Sequence, residues 1–379
     1  MRITSLAIGA AALGGLALMA LVTAQADEIT VGAEVAMTGP MASFIGPNLK
    51  AGFEVAVDRI NKLKLAGPDN TLKLVTEDVA SDKTQVIAVT TQFAERDKVA
   101  VILGPATTVL GAAAAPVANS LKTPIIVIAY AAEIVKNRPW AYKAYMEANA
   151  SAKAIADFSL HHLKVKSAVL VFDRGNDAST EIKDGLRDRL VKGGVKVLSE
   201  DGTAQGDTNF GPLATKIVSE HPDMVFLATP PELGANVVIQ ARQAGLDPAT
   251  KLIGIGNLAS PAYVRTGGKA VWGTYYTSDY FAGLPTPENK AFVAAYEAKM
   301  KMAPDVFAAG AYAAAMIAAG AIKEAGDHPD REKIRAAIGR LSNFATVLGN
   351  GTMSIDAAHV TSYDLAMLQL VNGKNELAK

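Results

Sequence analysis

The feature that most restricts the fold is an exchange between two hydrophobic periods. Short, almost wholly apolar runs such as "VAVILG" (99–104) and "PIIVIAY" (124–130) alternate with longer runs such as "NLKAGFEVAVDRINKL" (48–63), whose apolar residues recur at helical spacing. A short continuous apolar run is a strand covered on both faces, and the 3.6-residue spacing is a helix with one buried stripe. Strands covered on both faces, each followed by a helix, build a parallel sheet between two helical layers.

The rhythm persists along most of the chain. "TLKLVTED" (71–78) reads as a strand, and "SDKTQVIAVTTQFAERDK" (81–98) as a helix with Ser81 or Asp82 as its N-cap. "TVLGAAAAPVANSL" (108–121) is a further helix. A second set starts at "SAKAIADFSLHHL" (151–163) and includes the strands "KSAVLVFD" (166–173) and "PDMVFLAT" (222–229). In it, "PELGANVVIQARQAGL" (231–246) is a helix with Pro231 near its first turn, and "AVWGTYYTSDY" (270–280) is a strand leading elsewhere. Two sets of similar rhythm imply two lobes of the same kind.

The remainder is too short for a third domain. It holds three helices, among them the alanine-rich "VFAAGAYAAAMIAAGAIKEAG" (306–326), and a final strand, "SYDLAMLQLVNGK" (362–374). A chain that returns to the first lobe and ends in the second accounts for it. The expected division is 27–147 with 278–357 for lobe 1 and 148–277 with 358–379 for lobe 2, with crossovers near residues 147, 278 and 358. The alanine-rich helix calls for a closely packed face, most simply inside the monomer.

The chain start carries a compartment signal. Arg2 precedes an apolar run over 6–22, and "AQA" at 24–26 offers small residues for cleavage. Residues 1–26 thus read as a secretory leader, with the mature protein beginning at Asp27 and exported to the periplasm. No second apolar run is expected to span a bilayer, and no stable membrane insertion of the mature chain is expected. Lys+Arg and Asp+Glu both number 37, which argues against a nucleic-acid surface. Cysteine is absent, so disulfides and thiolate chemistry are excluded.

Enzyme fingerprints fail in turn. There is no dinucleotide G-x-G-x-x-G after the first strand, no P-loop and no G-x-S-x-G elbow. His161, His162, His221, His328 and His359 avoid strand carboxyl ends and metalloprotease spacing. Glu77 and Asp78 lack a third metal ligand nearby. No enzyme activity, metal or cofactor is expected. Open α/β sheets instead bind ligands beyond the carboxyl ends of their strands. Those ends read "AMTGPMASFIG", "GPATT", "AYAAE", "DRGND", "TPPE" and "IGNLAS". They are rich in Gly, Ser and Thr, which suits capture of a small solute by backbone N–H groups and hydroxyls. Phe44 and Tyr130 stand where an aromatic either lines the ligand or packs behind it.

"GAEVAMTGPMASFIGPNLKAGFEVAVDRIN", "VAVILGPATT", "PIIVIAYAAE", "FLATPPELGANVVIQARQAGL" and "GTYYTSDY" occur in an order and spacing that resembles the periplasmic leucine/isoleucine/valine-binding proteins of ABC importers. The resemblance implies a type I periplasmic binding protein: two Rossmann-like lobes with parallel central sheets, joined by a three-strand hinge. It also implies a small carboxylated solute held between the lobes, delivery to an inner-membrane ABC permease, and no catalysis. Residue by residue, Thr108 matches a hydroxyl that holds the ligand carboxylate, with Thr107 beside it. Ala131 matches a backbone donor, Ala132 keeps the spacing, and Glu133 replaces a threonine. Phe44 matches an aromatic cover and Phe307 an aromatic near the side-chain pocket. Asp177 and Pro230 replace an aromatic and a tyrosine, and Gly256 stands where an acid pairs with the ligand ammonium.

That last departure leaves two alternatives open. Either Glu133 or Asp177 takes over the ammonium, or the ligand is an amine-free organic or aromatic acid, or an amide. A periplasmic ligand sensor would use the same clamp.

Overall fold

The structure, a computed structural model, describes residues 27–42, 45–147, 149–204 and 206–378. The leader expected at residues 1–26 lies outside the described residues.

The first unit runs β1 (Asp27–Val35), α1 (Gly46–Leu63), β2 (Asn70–Asp78), α2 (Lys83–Glu95), β3 (Val101–Ala106), α3 (Thr108–Ser120), β4 (Ile125–Ile128) and β5 (Ala141–Lys143). Its strands lie in the order β2-β1-β3-β4-β5, all parallel. Every residue of β3 and β4 is buried, as the apolar runs require. Helix α1 turns Leu49, Phe53, Ala56 and Ile60 inward, and full burial of a large apolar side chain contributes roughly 1.5–3 kcal/mol. It stops at Lys64, which takes a left-handed conformation (φ 56°). Of the two caps expected for α2, Asp82 is the one used: its carboxylate accepts from the N–H groups of Thr84 and Gln85.

The second unit begins with α4 (Asn149–His161), β6 (Ser167–Asp173), α5 (Asp177–Lys192), β7 (Lys196–Thr203) and α6 (Gly211–Glu220). It continues with β8 (Met224–Ala228), α7 (Pro231–Gln243), β9 (Lys251–Gly254), α8 (Pro261–Gly267) and β10 (Tyr275–Ser278). Then follow α9 (Pro287–Met300), α10 (Val306–Ala325), α11 (Arg331–Ile338), β11 (Phe344–Ala345), β12 (Thr352–Ile355), β13 (Thr361–Ser362), β14 (Ala366–Val371) and β15 (Lys374–Leu377). The second sheet has the order β15-β14-β10-β9-β8-β6-β7.

Three details correct the expectation. The second sheet is mixed, because β14 and β15 are antiparallel to their neighbours. The expected final strand is a hairpin, turning at Asn372 (φ 51°) and Gly373 (φ 79°). A small antiparallel sheet, β11-β12-β13, was not anticipated.

Helices α9 to α11 pack with the first unit. One core cluster joins Val31, Phe53, Leu103 and Ile126 to Phe292, Tyr312, Ile317 and Ile334. The alanines of α10 let it approach α1 closely: a Cβ on Gly52 would lie 2.4 Å from the Ala308 carbonyl oxygen. By length and composition α10 could cross a bilayer, contrary to expectation, but it is mostly buried in this core. A polar clasp closes the same interface. Arg59 on α1 holds Glu288 on α9 through two hydrogen bonds of 3.0 and 2.7 Å, and Tyr312 on α10 donates to the same carboxylate.

Candidate functional site

The carboxyl ends of the first sheet form a connected set of loops. The loop after β1 is organised by Asp78 at the end of β2. Its carboxylate accepts from the N–H groups of Met37 (2.8 Å), Thr38 (3.2 Å) and Ala80 (2.8 Å) and from the Thr38 hydroxyl (2.6 Å). Asp78 is therefore a loop organiser, and no cluster of three or more metal-ligating side chains occurs among the described residues. Phe44, in the same loop, lies outside the described residues.

After β3 the chain reaches Thr107, the residue before α3. Its φ of 80° is a region that β-branched residues rarely adopt, and it is held there by an N–H···O bond of 3.1 Å to Ile128 at the end of β4. Its buried hydroxyl oxygen has no hydrogen-bond partner. A strained backbone carrying an orphan buried hydroxyl is a common mark of a binding position. Thr108 is exposed on the first turn of α3, which bears no acidic side chain.

The bond from Thr107 to Ile128 places the next loop alongside. Tyr130 stacks on Tyr145, with ring centroids 4.9 Å apart, and its hydroxyl donates to Asp279 at 2.9 Å. Ala131 is half-buried and Ala132 exposed, followed by a short 3-10 turn. The Glu133 side chain is 75% exposed and 3.5 Å from Lys136. Behind the loop, Lys143 at the end of β5 is 1% exposed and donates to the Tyr130 carbonyl at 2.9 Å. Burial pulls its ammonium down to about 8.

The second sheet presents its own strand ends. Asp177 is exposed on the first turn of α5, where Asn176 provides the cap. Pro230 precedes α7, and the hydroxyl of its neighbour Thr229 is buried without a partner. Gly256 follows β9, with no room for a side chain: a Cβ would lie 2.9 Å from the Thr277 carbonyl oxygen. Phe307 lies in the first turn of α10, half-buried against the first core.

Thus Thr107, Thr108, Tyr130, Ala131, Ala132 and Glu133 share one sheet end, while Asp177, Pro230 and Gly256 follow strands of the other sheet. The contacts that link the two sets were missed by sequence reasoning. Asp279, just past β10, accepts from Tyr130 and also from Tyr363 (2.5 Å), which precedes β14. Tyr145, on the first passage between the sheets, donates to the Val306 carbonyl at the start of α10. An acid closing an apolar strand was legible in "YYTSDY"; its two tyrosine partners, 149 and 84 positions away, were not.

This arrangement matches known proteins over nearly its whole length. The family model described as periplasmic binding protein covers residues 28–375. The Leu/Ile/Val-binding protein BraC3 of Rhizobium johnstonii is 27% identical over 354 residues, 92% of this chain and 93% of that one. A solved structure from Rhodospirillum rubrum superposes with a TM-score of 0.84 at 23% identity, covering 93% of this chain and 100% of the other. The branched-chain amino acid transporter substrate-binding protein LivJ of Streptococcus pneumoniae, solved with isoleucine, gives a TM-score of 0.73 at 25% identity, over 92% of this chain and 98% of that one. With two doubly covered sheets, ligand-type loops at their strand ends, and a family match spanning both, the chain belongs to the periplasmic binding protein family.

Proposed function

We propose that this protein is the exported solute-capture component of an ABC importer, closing two lobes over a small carboxylated amino acid and handing it to an inner-membrane permease. The observation that carries this reading is the Thr107 position. A strained residue with an unpartnered buried hydroxyl, fixed beside the Tyr130–Ala132 loop, supplies one hydrogen-bond donor for a carboxylate before the ligand arrives. Thr108 and the backbone of Ala131 and Ala132 complete the donor set. Phe307 borders the ligand's side chain, and Phe44 has the covering role that the resemblance implies. In this reading lobe 1 is 27–147 with 278–357, lobe 2 is 148–277 with 358–379, and residues 1–26 are a cleaved leader. Capture involves no catalysis. The family match and the branched-chain amino-acid binders among its relatives support the ligand class.

A second reading, an amine-free acid, draws on Gly256, where no acidic side chain can stand, and on the exposed positions of Glu133 and Asp177. Calorimetry on the purified mature protein separates them. Leucine, isoleucine, valine, glutamate, benzoate and short amides form the panel, and aliphatic amino acids are expected to bind at about 1 μM or tighter. Binding of amine-free acids alone would remove the amino-acid reading.

A further inference from the structure

We propose that Asp279 receives the cationic end of the solute and so makes the site selective for acids that carry an amine. This rests on the amino-acid reading above.

Asp279 stands where the chain leaves one unit for the other. Ser278 before it pairs with Ala366 in the second sheet, and Tyr280 after it belongs to the first core cluster. Its carboxylate is tied to Tyr130, whose chain continues directly into Ala131 and Ala132. The backbone beside it also lies against the other sheet's strand end: a Cβ on Gly256 would sit 4.0 Å from the Ser278 Cα. A solute touching the Tyr130 loop and the Gly256 backbone therefore has Asp279 next to it.

The bonding of Asp279 is incomplete in a way that suits an ammonium. Each carboxylate oxygen takes one tyrosine hydroxyl, and the residue's own backbone N–H adds a further bond, so acceptor capacity is still left unused. No cation lies within ion-pair distance of it among the described residues, and the nearby Lys143 ammonium is bonded to the Tyr130 carbonyl instead. An enclosed carboxylate without a counter-charge is costly, and burial pushes this carboxyl above its ordinary range, against the lowering effect of Tyr363 and Tyr130. An arriving ammonium supplies the missing charge. The two acids that the sequence put forward lack this setting: Glu133 is exposed beside Lys136, and Asp177 is exposed on α5.

The test is a pair of selectivity ratios read by calorimetry: leucine against 4-methylpentanoate, and 4-aminobutanoate against butanoate. The two pairs differ in the distance between amine and carboxylate. The wild type should favour the amine-bearing member of at least one pair. Asp279→Asn should weaken that member by roughly 100-fold or more, the loss expected when a buried charge loses its partner, while changing its amine-free partner by less than about threefold. Tyr363→Phe removes a hinge hydrogen bond but keeps the carboxylate, and should leave the ratio within about threefold of wild type. If Asp279→Asn does not fold, Asp279→Ser is read in the same way. An Asn or Ser variant that weakens both members equally, or neither, overturns the proposal while leaving the amino-acid reading intact. A wild type that binds no amine-bearing acid overturns both.

Discussion

At the scale of single residues, the least expected group is Glu34, fully buried in β1. One carboxyl oxygen has no partner, and the other lies 2.6 Å from the Thr90 hydroxyl, which is also 2.7 Å from the Val86 carbonyl. Thr90 has one hydroxyl proton and can serve only one of these two acceptors. A protonated Glu34 resolves the conflict, donating to Thr90 while Thr90 donates to Val86. Consistent with this, burial raises the Glu34 carboxyl to about 8, outweighing the lowering effect of its contact with Thr90. A folded-state value above the unfolded one means that the native state binds more protons, so stability falls as pH rises from about 4.5 to 8. Denaturation of the wild type should show a loss on the order of 3 kcal/mol between pH 5 and pH 8. Glu34→Gln should flatten that slope and be the more stable protein at pH 8; a wild-type profile flat over the window would contradict the assignment.

The residues of the candidate site were legible to different degrees. The loop of Thr107 and Thr108 stood out through hydroxyls at a strand end, and the fold puts it beside the Tyr130 loop. Glu133 drew notice as an acid closing an apolar strand, yet its side chain faces solvent. Asp279 also follows a strand, but burial and tyrosine donors from distant segments distinguish it, and neither is a local property.

At the scale of elements, helical and strand periods identified most of the chain, since a buried stripe or a doubly covered strand imposes its own spacing. The final hairpin was read as one strand although "NG" stood in it as a turn signal. The short strands β11 to β13 have too few residues to show a period at all. Composition did anticipate the close packing of α10. Gly52→Ala tests that contact: alanine favours a helix over glycine by about 1 kcal/mol, but the new methyl would meet the Ala308 carbonyl at 2.4 Å and the Ala311 side chain at 2.9 Å. Overpacking should prevail, and chemical denaturation should show a net loss of about 1–3 kcal/mol. Unchanged or raised stability would mean that α1 and α10 separate more easily than their contacts imply.

At the scale of the whole molecule, the proposed capture mechanism has the two sheets, connected by three chain passages, exchange between open and closed arrangements, with a solute that prefers the closed one shifting the population. A ligand found by the calorimetric panel, present at about 100 times its Kd, should stabilise the protein by about 2.7 kcal/mol. It should also reduce the radius of gyration in solution scattering. Stabilisation without compaction would indicate a site within one lobe, and the clamp would be wrong.

The sequence by itself determined the alternation of strand and helix, the two units and the resemblance to the periplasmic binding protein family. Each of these follows from local periodicity, from turn residues or from an ordered series of short motifs. Tertiary structure alone decided that α10 packs against α1 and the first sheet, that Glu133 faces solvent and that Gly256 admits no side chain. It also joined Asp279 to Tyr130 and Tyr363, across 149 and 84 positions. The physical reason is that the charge state and partners of a buried group depend on what surrounds it in space, and those neighbours come from segments whose separation along the chain carries no local signal.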